Sequence, residues 1–111
     1  MSAGDPSSID ALLAAAHRQF AASLPAKVTA IEEHVAREAW VDASRAAHKL
    51  RGSAATYGFA ALAASAAAIE EALIDARELV GSDVRARVDG HLVEARAAAE
   101  RAAREDAPVA P

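Results

Sequence analysis

The stretch RAAHKLRGSAATYGFAALAASAAAIE, residues 45–70, decides how this chain folds, because it reads as two amphipathic helices parted at Gly58. On a helix advancing about 100° per residue, Ala43, Leu50, Ala54 and Tyr57 share one side. Ser44, Arg45, Arg51, Gly52 and Ala55 fall within about 60° of His48 on the other side. If the apolar set meets a core, His48 stands toward solvent, flanked by guanidinium groups and a backbone patch bare of side chain. After the glycine, Phe59, Leu62, Ala66, Ile69 and Leu73 form the inward stripe of the next helix.

Working outward, the pattern predicts three more helices. Ser7 or Ser8 caps a first one, with Ile9, Leu12, Leu13, Ala16 and Phe20 facing inward as far as about Leu24. Pro25 suits the first turn of a second helix, with Val28, Ile31 and Val35 inside, or else marks a kink joining two nearly continuous segments. Around Arg37–Val41 a short connection leads into the His48 helix, and Gly81-Ser82-Asp83 reads as a turn that caps the last helix, built on Val84, Val88, Leu92 and Ala95. Beyond Ala97, alternating Ala, Arg and Glu read as a solvated face that outruns the core. The fold expected is all-α: an antiparallel up-and-down four-helix bundle with an additional N-terminal helix, five helices in total. Residues 1–7 and 106–111 are expected to be disordered and residues 8–105 to form one domain.

Composition agrees. The chain has 111 residues, 34 of them Ala, and 53% hydrophobic content with four aromatic side chains, Phe20, Trp40, Tyr57 and Phe59. That is room for one domain whose helices approach closely through methyl groups, and too little for a second. A net charge of −4 argues against nucleic acid as a partner. With no cysteine, thiolate metal sites and disulfides are excluded, and no two of His17, His34, His48 and His91 sit three or four residues apart as a helical metal pair would. No run approaches the roughly 20 apolar residues of a membrane span, and Met1–Ser8 lacks the basic start and apolar run of a secretory signal. A cytoplasmic, monomeric protein without a membrane partner is expected, and Met1 favours an independent unit over a piece of a larger signalling kinase.

The segment around His48 resembles the histidine phosphotransfer (HPt) domain family, whose signature is a histidine, any residue, leucine, a basic residue, glycine and a small residue. Here it reads His48, Leu50, Arg51, Gly52, Ser53, followed by Gly58, Leu62 and Ile69-Glu70 at the family's spacing. The match covers roughly residues 45–70. The resemblance implies a five-helix bundle and a passive intermediate. His48 takes a phosphoryl group from an aspartate on the receiver domain of a hybrid sensor kinase and passes it to an aspartate on a response regulator. It also implies that the chain needs no cofactor, magnesium belonging to the receiver. A competing reading keeps the bundle as an unphosphorylated module that scaffolds or inhibits a histidine kinase.

Chemistry supports the first of these readings. An ordinary imidazole, with a pKa of about 6.5, offers an unprotonated nitrogen at neutral pH. Arg45, Lys49 and Arg51 attract the incoming anion, Arg51 best placed one turn along and Lys49 turned about 100° aside toward a docking role. Glycine inside a helix costs about 1 kcal/mol relative to alanine, so Gly52 in so alanine-rich a chain calls for a reason, and clearance over the reacting nitrogen supplies one. Ser44 and Ala55 complete the face as small neighbours. His17, His34 and His91 read as core or boundary residues, Trp40 as closing one end of the core, and Glu70, Glu71, Asp75 and Glu78 as a solvated acidic face. Where relatives carry a second basic residue or a glutamine near the histidine, this chain has Ser65 and Ala67, so a hydrogen bond orienting the ring is expected to be missing. Arg51 stands where lysine is commoner, allowing a bidentate anion contact. There is no Gly-rich nucleotide loop, and the chain is not expected to phosphorylate itself.

Overall fold

In the computed structural model, which describes residues 8–76 and 81–105, the chain folds into four helices: α1 Ile9–Ala36, α2 Trp40–Thr56, α3 Ala60–Asp75 and α4 Gly81–Glu105. No strand occurs among the described residues. Ser7 and Glu78 and the two expected disordered termini lie outside them.

The helix α1 corrects the expectation of a fifth helix. Pro25 lies inside it, and the segments read as first and second helices are one 28-residue element. A proline inside a helix removes one backbone hydrogen bond and costs about 3 kcal/mol. The helix continues because one unbroken stripe, Ala21, Leu24, Val28, Ile31 and Val35, is buried on both sides of the proline. Burying each large aliphatic of that stripe stabilises by about 1.5–3 kcal/mol, which outweighs the lost bond. Ser8 provides the N-cap, its hydroxyl accepting from the Ala11 N–H at 3.3 Å.

Both turns that flank α2 share one geometry. At the end of α2, the Phe59 N–H bonds to Ala54 O at 2.8 Å and the Gly58 N–H to Ala55 O at 3.1 Å, with Gly58 at φ 84°. At the end of α1, the Ala39 N–H bonds to His34 O at 2.8 Å and the Glu38 N–H to Val35 O at 3.0 Å, with Glu38 at φ 57°. These are Schellman stops, which place the turning residue in the left-handed region that glycine occupies at least cost.

Tight reversals of this kind lay consecutive helices antiparallel. The helix α1 packs on α2 and α4, and α3 packs on α2 and α4, so the four form a closed up-and-down ring. Leu24, Val28, Ile31, Leu62, Ile69, Val84 and Val88 fill its axis, and alanines 43, 47, 54, 66, 95 and 99 let the helices close on one another. Arg96 fastens α4 to α1: its guanidinium donates to Glu32, to Thr29 Oγ1 at 2.7 Å and to Pro25 O at 3.2 Å. The Glu32 hydrogen bond raises the Arg96 pKa further, so the guanidinium stays charged.

Two further readings are corrected at the same end of the bundle. Ile9, Leu12 and Leu13, expected inside, are 73%, 61% and 62% exposed. The helix α2 ends at Thr56, where Tyr57 and Phe59 meet His17 and Phe20 of α1, so the first turns of α1 overhang their neighbours. The last turns of α4 are packed and not merely solvated, with Ala98, Ala99 and Ala102 buried. At the opposite end, α4 begins at Gly81, so Gly81-Ser82-Asp83 lies within its first turn and is not the connecting loop.

Candidate functional site

The inward residues of α2, Ala43, Ala47, Leu50 and Ala54, are buried in the core, and that anchorage turns His48 outward. The imidazole is 71% exposed. It is also held. Nδ1 lies 2.8 Å from Glu70 Oε2, and Arg51 donates from Nη1 to the other oxygen of the same carboxylate at 3.1 Å. Glu70 reaches this position from α3, where it follows the fully buried Ile69. Its side chain is only 13% exposed, tucked against the α2–α3 seam.

That contact decides the chemistry of the ring. A carboxylate only accepts, so the nitrogen facing it carries the proton, and Nδ1–H donates to Glu70. In the neutral ring the lone pair then belongs to Nε2, the nitrogen that Glu70 does not engage. Exposure would otherwise leave the ring free to rotate between orientations and tautomers; the carboxylate removes that freedom at the cost of one hydrogen bond.

Glu70 corrects two expectations. The sequence pattern groups it with Glu71, Asp75 and Glu78 as a solvated face, and Ser65 and Ala67, which cannot supply a ring-orienting bond, predict that the bond is missing. The bond is present and comes one turn further along α3. A signal for it was in the chain: His48 stands ten residues before Gly58 and Glu70 twelve after, so an antiparallel hairpin about that glycine brings the two level. Glu71 and Asp75 do stay on the surface, on the α4 side beside Arg87 and His91.

The other expected site residues distribute around the histidine. Gly52 is exposed and a Cβ placed on it would meet nothing within 4 Å, so nothing inside the domain requires glycine there. Ala55, one turn on, is exposed as well. Arg45 is exposed. Lys49 turns away from the ring into a groove between α1 and α2 lined by Lys27, Ala30, Ala46, Leu50 and Ser53. Ser44 is half-buried and lines a different groove with Trp40, Val41, Leu73 and Ile74. The structure therefore joins His48, Arg51 and Glu70 directly, and places Lys49 and Ser44 on either flank.

Trp40 packs against the core, as expected. The three remaining histidines stand elsewhere: His17 bonds to Tyr57 O at 3.1 Å and stacks on Phe59, His34 lies beside Arg37, and His91 beside Glu94. Among the described residues no group of three His, Cys, Asp or Glu could hold a metal ion, and no helix is long and apolar enough to cross a membrane.

The site is thus an exposed imidazole with one ring nitrogen engaged by Glu70, set between two surface grooves. The family model described as the Hpt domain matches residues 15–105, and the chain belongs to that family. It is thus a histidine-phosphotransfer domain of two-component signalling, a class that carries phosphoryl groups between receiver domains and response regulators and does not comprise classical enzymes. No curated protein and no solved structure matches the chain.

Proposed function

We propose that His48 is the phosphoacceptor, taking a phosphoryl group from a receiver-domain aspartate of a hybrid sensor kinase and handing it to an aspartate of a response regulator. The observation that carries this reading is the Nδ1–Glu70 contact on an exposed ring, which makes Nε2 the nitrogen that bears the lone pair of the neutral imidazole. Nε2 attacks phosphorus in line, and the donor aspartate leaves as carboxylate. Arg51, already oriented by Glu70, supports the developing negative charge on the phosphoryl oxygens. Gly52 and Ala55 leave room for the acidic pocket of the receiver to reach the ring. Arg45 and Lys49 attract and orient that pocket, and Ser44 lies at the rim of the contact. Magnesium enters with the receiver, whose own carboxylates hold it, so no metal ligand is needed on this side.

A scaffold that only docks has no use for a ring fixed in one tautomer, and the Glu70 buttress therefore favours the relay over the unphosphorylated module. The test is incubation with a receiver domain carrying labelled aspartyl phosphate. Label is expected on the wild type and absent from His48→Gln, with unchanged helical circular dichroism; equal labelling of the two would remove His48 from the reaction.

A further inference from the structure

The first turns of α1 carry an apolar face that no described residue covers. Ile9, Leu12 and Leu13 are exposed, and the stripe they begin continues through Ala16 to Phe20. Stepped back from Ala21 at the same alternation of three and four, the buried stripe of α1 runs through His17, Ala14 and Asp10. The exposed stripe, Ile9, Leu13, Ala16 and Phe20, is one residue out of step with it and so is turned by about 100° from the core. At its base is a ledge of half-buried rings, Phe20 stacked on Tyr57 with centroids 4.2 Å apart and His17 on Phe59 at 4.9 Å.

We propose that this face docks on the same face of a second copy of the chain, the two α1 overhangs lying antiparallel about a two-fold axis. The pairing replaces the monomer expected from the sequence and does not depend on the relay reading. The spacing of the stripe suits its own copy: Ile9, Leu13, Ala16 and Phe20 stand four, three and four apart, which reads the same in both directions. Reversing one helix against the other therefore sets Ile9 level with Phe20 of the second copy, and Leu13 level with its Ala16, large against small. A face that meets itself in this way closes at two copies.

Charge does not oppose the contact. Between Ser8 and Ala26 the chain carries Asp10 and Arg18, and in this register they stand level with Gln19 and Ala11 of the second copy. The same scarcity of cations disfavours an anionic membrane surface, which takes helices whose polar face is basic. The overhangs alone are too small for a specific interface, but overlapped from Ile9 to the aromatic ledge they bury on the order of 1,000 Å², its lower limit, so the dimer is weak and reversible. His48 stands about 20 Å from Leu13 along the bundle axis, counted through the level of His17 and Tyr57. The two bundles extend in opposite directions from the paired overhangs, and both histidines stay open.

The test is sedimentation equilibrium of the whole chain from about 1 μM to about 1 mM, the range over which so small an interface fills. Leu13→Glu sets a carboxylate in the contact at a position 62% exposed in the single chain, and Val93→Glu alters a residue 70% exposed on α4 as the control. Wild type and Val93→Glu are expected to dimerise alike. Leu13→Glu is expected to weaken the dimer at least about tenfold with unchanged helical circular dichroism. A wild type that stays monomeric throughout overturns the proposal, as does a dimer that Leu13→Glu leaves intact. Binding of the wild type to phosphatidylglycerol vesicles, or loss of receiver-domain binding in Leu13→Glu, would give the face to those occupants and overturn it too.

Discussion

At the scale of single residues, Gly52 shows how a functional requirement can be separated from a structural one. It is exposed within α2, and a side chain there would touch nothing in the domain. Gly90 has the same open surroundings, on α4 and away from the helices that carry His48 and Glu70. Alanine at either position should therefore stabilise the fold by about 0.5–1 kcal/mol, measured by urea denaturation, because glycine is the poorer helix former. The positions diverge with bulk. Gly52→Leu should retain the fold and slow transfer from a phosphorylated receiver by at least about tenfold, through obstruction of the approach to Nε2. Gly90→Leu should leave transfer unchanged. Equal transfer rates in Gly52→Leu and wild type would remove the clearance role.

His48, Arg51 and Gly52 were legible in the sequence because they belong to one short helical face, where spacing alone gives position. Glu70 stood at the family's spacing, but its role was not legible, since it joins the site across a helix pair and its own neighbourhood, an acidic residue among acidic residues, reads as surface. The information that would have placed it is the register of the α2–α3 hairpin. Register is a property of two helices and a turn together, and no local pattern contains it.

Individual elements depend on their stops. The paired Schellman turns place a glycine at one left-handed position, Gly58, and a glutamate at the other, Glu38. Putting a Cβ in this region costs on the order of 1 kcal/mol. Gly58→Ala should accordingly destabilise the domain by about 1 kcal/mol, and Glu38→Gly should stabilise it by a similar amount, both read from thermal or urea midpoints. Opposite signs at two matching turns check the geometry more sharply than either variant alone. The end of α2 and the start of α3 were legible to within about a residue because Gly58 is a stop with a chemical signature. The continuity of α1 through Pro25 was legible only as the alternative of a kink, because a proline weakens a helix locally while the buried stripe that holds it together runs from Ala21 to Val35. Tertiary burial outweighed the local signal.

Over the whole molecule, a closed ring of four antiparallel helices gives the histidine a rigid base. The domain is long and narrow, 63 × 24 × 19 Å, with the overhanging start of α1 contributing to its length. That overhang explains why amphipathic spacing misplaced Ile9, Leu12 and Leu13: periodicity tells which side of a helix is apolar, but not whether a neighbouring helix extends far enough to cover it. On the proposed function, the rest of the molecule serves to hold one ring at the surface. The most direct measurement is nitrogen-15 and phosphorus-31 NMR of the domain after transfer from a phosphorylated receiver. The account predicts phosphorus bonded to Nε2 of His48, with Nδ1 protonated before transfer. Phosphorus on Nδ1, or on any histidine other than His48, would contradict it.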